Sequence, residues 1–536
     1  MKLKRVTTTM VSASIVVMAG LIAVPNAAFA SRKPHSSNAH GPTLYVASSG
    51  SNLANNNCQA SLNPCRTITY ALTQAASGAT IKVQAGTYNE QVKITKPVTI
   101  MGAGANQTVI EPTTVPLFDS DTDSTEPQFY IVDVTGTSGV NLKDLGINGS
   151  AATPSLDLNG HGCGQDYVGA YFHDASGSMT NDTVTGILMP ADLFGCQGGL
   201  GVYAATNADS LTPSSLIMTA DDVNNYDKNG ITCDDPGTVC GIKGTTVTGI
   251  GSTNAIAQNG IQIWAASAGV TGNTVTGNTY DGLGTTASGI LIGNPYTLSV
   301  KNNTVTNNDS NIYLLQDQSP AFVYCGSLST DCPNVAAAGT TFVVTHNHVN
   351  DATDADIIHN GVGGGFGDGI DLDSIVQPTT VAHNIVDNNI GDGVGVLGAT
   401  NVTAEKNTVR NDYNGVFFGT GSTGVTANAN TVEHNTIFSS SNDGILASSS
   451  SGGNTIERNS SQLSSTFDAQ DSSTGAGTAG TANIWEANVC TTSNPSGLCH
   501  TAMTVRKGAA RTRGHRASGS GTAAGHRSVA VPLRKS

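Results

Sequence analysis

The chain has 536 residues, and its 39 Asp and Glu outweigh 24 Lys and Arg to give a formal charge of −15. Only 5% of residues are aromatic while 63 are glycine, which points to a fold of turns and short repeated elements. Every acidic residue lies between Ser31 and Ala502, and this acidic body excludes nucleic acid as a partner because phosphate would be repelled.

In chain order, residues 1–30 read as a secretory signal. Lys2, Lys4 and Arg5 precede an apolar run from Val11 to Val24, and Ala28-Phe29-Ala30 forms a small-residue cleavage site. The run is too short for a membrane span, so a secreted, extracellular, monomeric protein is expected. Residues 31–42 form a polar leader. Thr67 to Ala76 predicts a short amphipathic helix capping a stack of β-coils, which starts near Ala79 within a single unit over 43–500. Loops are expected at 112–128, 152–200, 318–342 and 351–367, and the repeats fade after Ser460. Residues 501–536 hold basic side chains from Arg506 to Lys535 and no acid, the pattern of a disordered tail.

Ten cysteines fall into local pairs: Cys58 with Cys65, Cys163 with Cys196, Cys233 with Cys240, Cys325 with Cys332, and Cys490 with Cys499. In an exported chain this predicts five disulfides closing loops.

Two phrases repeat. The first is an Asn-led hexapeptide, beginning at Asn273, Asn303, Asn347, Asn384, Asn407, Asn430 and Asn454. The second is a turn residue, a glycine and an apolar alternation, as in NGIQIW from Asn259, DGIDLD from Asp368 and NGVFFG from Asn414. Short alternating strands in a period of about two dozen residues predict an all-β solenoid, a single-stranded right-handed parallel β-helix. Coils about 4.8 Å apart stack equivalent residues into columns, and the recurrent Asn becomes an amide ladder. On these repeats, together with GTYNEQVKITKPVTIMGAG (Gly86 to Gly104), the chain resembles the pectin-lyase-like β-helix proteins, and within them secreted bacterial proteins of unassigned activity. The resemblance implies the fold over residues 43–500 and leaves the activity open.

Alternation places Gln262, Leu291, Tyr313, Asp371 and Phe417 in one outward column, and Trp264, Leu315, Asp373 and Leu397 in the next. Trp264, Tyr313 and Phe417 are candidate sugar-stacking residues on an exposed strip. Asp371, Asp373 and Asp392 are candidate catalytic carboxylates, with Asp371 and Asp373 about 6.5–7 Å apart on one strand, near the lower limit for inverting glycoside hydrolysis. Asp368 and Asp392, one coil apart, could hold calcium; the sequence demands no other cofactor. His346, His348 and His383 offer a transition-metal set.

GDGIDLDS partly resembles the Asn-Thr-Asp-Gly segment of polygalacturonases, but Phe366 and Gly367 replace the first two residues. The second Asp of the next motif is missing after Asp392, and the Gly-His-Gly at Gly160 to Gly162 stands upstream. GTYNEQV resembles the opening of pectin methylesterases without their later motifs. A lyase needs a base, for which Lys406 and Arg410 are the central cations. Asp387, Arg410, Glu433 and Glu457 read as a cross-strand ion ladder, and Asp119 to Glu126 as a solvated acidic loop. Two readings follow. The protein binds an extracellular polysaccharide or envelope polymer along a loop-flanked face and cleaves it as a lyase or hydrolase, or it is a non-catalytic surface or structural protein.

Overall fold

The computed structural model describes residues 41–120, 127–152, 163–207, 210, 212–282, 285–316, 339–353 and 367–500. The signal stretch, most of the leader and the basic tail lie outside them.

Each coil contributes one short strand to each of three parallel sheets, which hold 15, 13 and 15 strands. One of the 15 strands of the third sheet, Phe118–Ser120, is antiparallel and pairs with Pro127–Thr135. Val, Ile and Leu alternate inward and fill one continuous core. Stacking begins at Thr43–Val46, which pairs with Ala79–Val83, so the first coil precedes the start expected near Ala79. A helix, Ile68–Gln74, is capped by Thr67 and buries Ile68, Ala71 and Leu72.

The corner between the first and second sheets sets the period. It is two residues long in nearly every coil, as in Lys301 to Thr304 and Ala382 to Ile385. The first corner residue is left-handed, with φ of 56° at Asn302, 58° at His346, 57° at His383 and 54° at Lys406. The second points into the stack. Asn273, Asn303, Asn347, Asn384, Asn407, Asn435, Asn459 and Asn488 follow one another there, each Nδ2 donating to the next Oδ1 at 2.9–3.0 Å. Asp182 and Asp221 take the same place earlier in the chain, where Leu145 donates to Asp182 and the Asp182 amide to Asp221.

Asn430 and Asn454 do not continue this ladder, contrary to the sequence reading. They form a second one with Asn483, at the entry to the first sheet. The same hexapeptide serves two corners: Thr431–Glu433 stacks on Val402–Glu405, whereas Thr408–Arg410 stacks on Ile385–Asp387. The expected ion column divides likewise. Arg410 Nη2 lies 2.6 Å from Asp387, but Glu433 and Glu457 stack with Glu405 and Glu486. Glu405, Glu433 and Glu457 each pair with the adjacent side chain, Lys406, His434 and Arg458.

Two loop assignments also change. The stretch 152–200 contains three strands, Asp166–His173, Ser176–Thr180 and Thr183–Ile187, and so a further coil. Beyond Ser460, strands continue through Ala469–Asp471 and Ile484–Glu486 to Ser493–Asn494.

Among the described residues, disulfides join Cys58 to Cys65, Cys163 to Cys196, Cys233 to Cys240 and Cys490 to Cys499. The fifth bridge expected from the sequence, between Cys325 and Cys332, differs from these four: both Cys325 and Cys332 lie outside the described residues. Among the described residues no helix is long and apolar enough to cross a membrane.

Candidate functional site on the third sheet

The long connections cluster at the two edges of the third sheet. Residues 188–199 and 249–258 lead into it, and 206–214 and 420–430 lead out, while the first-to-second corner stays tight. Its two edges therefore carry the variable connections, as the binding faces of solenoids generally do.

Register fixes the columns on the outer face of that sheet. Gln262 stands beside Leu291, Leu291 beside Tyr313, Tyr313 beside Asp371, Asp371 beside Gly395 and Gly395 beside Phe417. In the next column Trp264 is followed by Gly293, Leu315, Asp373 and Leu397. The sequence-derived columns thus form, but they are not an exposed strip. Asp371 is 0% exposed, Asp373 3% and Tyr313 8%. Alternation tells which side of the sheet a residue takes; it cannot tell how deeply the residue is buried there. Trp264, Gln262 and Phe417 remain partly exposed.

The two central carboxylates differ in what holds them. Asp373 accepts from the Tyr313 hydroxyl (3.0 Å), the Ser374 hydroxyl (2.7 Å) and the Ser422 amide (2.9 Å). It orients Tyr313 and anchors the connection after Phe418. Neither oxygen of Asp371 has a well-formed hydrogen bond. Burial pushes its pKa well up, the negative charges of Asp373 and Asp392 add to this, and the Leu372 amide opposes it only weakly. A Cβ on Gly395 would lie 3.1 Å from Asp371 Oδ1 and 3.8 Å from Asp368 Oδ2. The two carboxylates therefore converge above the one position in the column without a side chain.

Asp368 and Asp392 occupy equivalent corners, but Asp368 Oδ1 accepts the Asp392 amide at 2.5 Å, which is turn chemistry. Asp392 accepts from Asn414 Nδ2 at 2.7 Å, and burial raises its pKa to about 7. Among the described residues no group of three His, Cys, Asp or Glu side chains that could hold a metal includes the pair. The histidine set does not converge either. His346 and His383 stack at the left-handed corner with ring centroids 5.0 Å apart, while His348 turns onto the second sheet toward Asp387, 3.7 Å away. The corner bend separates side chains that a straight strand would have kept on one face.

The same column begins with a cluster that the sequence reading missed. Lys93 stands beside Asp133, and Asp133 beside Tyr171. Lys93 pairs with Asp119 and, at 3.1 Å, with Asp133. His173 Nε2 lies 3.1 Å from Asp133 and 3.4 Å from Asp119. Asp119, expected in a solvated loop, sits in the strand Phe118–Ser120. Burial works against the Lys93 ammonium, but Asp119 and Asp133 outweigh it and hold its pKa above the ordinary value. The Tyr171 ring stacks on His173 at 4.4 Å and on Tyr203 at 5.2 Å. The alternation in VKI, IVDV and YFH carried this signal, but the 37- to 40-residue coils there hid the period.

A model described as right-handed β-helix region matches residues 288–461, and one for a protein family of unknown function (DUF1565) matches residues 48–106. No curated protein sequence matches the chain. Similar solved structures include the Dettilon tailspike protein, at 14% identity and a TM-score of 0.42 over 78% of this chain; the chain spans 64% of that protein. A mannuronan C-5 epimerase A-module of Azotobacter vinelandii is 13% identical, with a TM-score of 0.37 over 71% of this chain and 86% of the module. A lacto-N-biosidase of Eubacterium ramulus is 12% identical, with a TM-score of 0.41 over 78% of this chain and 67% of the enzyme. The three parallel sheets, together with the region matched at residues 288–461, show that this chain folds as a right-handed parallel β-helix.

Proposed function

We propose that the protein binds an extracellular polysaccharide along the outer face of the third sheet, between the flanking connections, and that Asp371 acts on the bound chain as a proton donor. The observation that carries this reading is the Asp371 carboxyl, fully buried without a well-formed hydrogen bond beside the bare backbone of Gly395. A carboxyl buried without compensation is costly as a purely structural group. A carboxyl kept protonated by its surroundings suits donation to a glycosidic oxygen. Trp264 and Phe417 lie five strand steps apart, about 24 Å, and offer ring faces to sugars at two ends of a stretch centred near Asp371. Asp392, with its raised pKa, is the second acid of the site.

A second reading, binding without cleavage, draws on Asp373. Its oxygens are taken up by Tyr313, Ser374 and Ser422, so it serves as a support and not as a free base.

The test is a screen of the full chain on pectin, polygalacturonate, alginate and neutral glycans, with and without calcium. Binding is followed by affinity electrophoresis, and cleavage by reducing ends and unsaturated uronate absorbance. Cleavage of one polymer is expected, reduced at least 100-fold by Asp371→Asn with binding retained. Binding without cleavage, unchanged by that substitution, selects the second reading. Failure to bind any of these polymers contradicts both for those substrates.

A further inference from the structure

The cluster at the start of the third sheet is not used by the function proposed above. Asp133 is fully buried and His173 is 5% exposed. They come from neighbouring strands of one sheet face. Asp119 reaches them from the antiparallel strand Phe118–Ser120, paired with Pro127–Thr135 in the same sheet. One ligand atom from each of the three lies within 4.8 Å of the others, the single such group among the described residues. Both His173 ring nitrogens are buried without a hydrogen bond, and Nε2 faces the two carboxylates. An imidazole that serves only as scaffold normally bonds through at least one nitrogen.

Charge gives a second argument. Two acidic side chains, Asp119 and Asp133, face the single Lys93 side chain next to stacked Tyr171 and Tyr203. Lys93 spans both carboxylates from the more exposed side, its side chain 41% accessible. A side chain so placed can swing into solvent and surrender both oxygens to a stronger cation.

We propose that Asp119, Asp133 and His173 bind a divalent transition metal ion, zinc or manganese, and that the Lys93 ammonium is its stand-in when the metal is absent. One nitrogen and two carboxylate oxygens suit these ions. They do not suit calcium, which requires six to eight oxygen ligands. Three protein ligands leave coordination positions open toward the outer face.

The experiment is isothermal titration of the full chain with zinc chloride, manganese chloride and calcium chloride at pH 7, with each variant first checked by circular dichroism and thermal unfolding. One equivalent of zinc or manganese is expected to bind, with calcium at least tenfold weaker. His173→Ala and Asp119→Asn are each expected to weaken binding at least tenfold. Lys93→Met removes the competing ammonium and is expected to tighten it about tenfold. No binding by either the unaltered chain or Lys93→Met overturns the proposal, as does binding unmoved by His173→Ala. Should His173→Ala fail to fold, an affinity unchanged or weakened by Lys93→Met overturns it equally, because the ammonium would then not occupy the metal position.

Discussion

Asn384→Ala is expected to lower the unfolding free energy by about 3–6 kcal/mol. Asn384 Oδ1 accepts both the backbone amide and Nδ2 of Asn347, at 2.9 and 3.0 Å. Its Nδ2 donates to the Val344 carbonyl at 2.9 Å and to Asn407 Oδ1 at 3.0 Å. All of these groups are buried. Truncation removes a partner from donors and acceptors on both neighbouring coils, each costing about 1–3 kcal/mol less whatever water can reach. It also opens a gap too tight for the chain to close, because the strands on either side are pinned in register. The control is Asn388→Gly, at an exposed corner with φ of 60°, where the change should stay below about 1 kcal/mol. Urea unfolding followed by circular dichroism reads both; equal effects would mean that the ladder is not what holds the coils together.

Acidification from pH 8 to pH 5 is expected to stabilise the protein by several kcal/mol, against the common preference for neutral pH. Burial raises the pKa of Asp182 to about 8, of Asp227 and Asp392 to about 7 and of Asp221 to about 6. Asp371 and Asp412 are raised well above the ordinary carboxyl value for the same reason. Each group binds its proton more tightly folded than unfolded. Its contribution is therefore complete below about pH 4 and is lost as pH rises toward its folded value, by up to about 1.4 kcal/mol per pH unit. The window runs from about pH 4 to about pH 8, closing last for Asp182. The cause is architectural: Asp182 and Asp221 fill ladder positions that Asn holds elsewhere, and Asp412 accepts from Asn389 at 2.8 Å. Urea midpoints at pH 5, 6, 7 and 8 should fall in that order; midpoints that are flat, or that rise with pH, would contradict this origin.

The fold was legible because its unit is short and local. A turn residue, a glycine and alternating Val or Ile identify a strand and its buried face without reference to any other coil. What repetition concealed was which corner each copy serves. Asn407 and Asn430 are 23 residues apart and look like successive rungs, yet Asn407 meets Asn435, 28 residues on, because the connection at residues 420–430 lengthens that coil. The site was legible in its columns, since period-two alternation set Tyr313 beside Asp371 and Leu315 beside Asp373. Burial of those residues was not, since alternation carries no sign of contacts such as that of Ser422 in the 420–430 connection with Asp373. Left-handed corners defeated the histidine prediction: a straight strand carries His346 and His348 on one face, but φ of 58° at His346 turns one away from the other. Lys93, Asp133 and His173 escaped notice because no phrase repeats around them.

Tryptophan fluorescence tests most directly whether ligand lies on the outer face of the third sheet. Trp264 stands on that face, partly exposed, whereas Trp485 is 5% exposed and donates to Asp471 from within the stack. Titration with oligosaccharides of the bound polymer should change the emission saturably. The change should vanish in Trp264→Phe, and Phe417→Ala should weaken binding by about 1–3 kcal/mol, the scale of one buried aromatic contact. Undiminished binding in Phe417→Ala, with no emission change from Trp264, would put the ligand elsewhere.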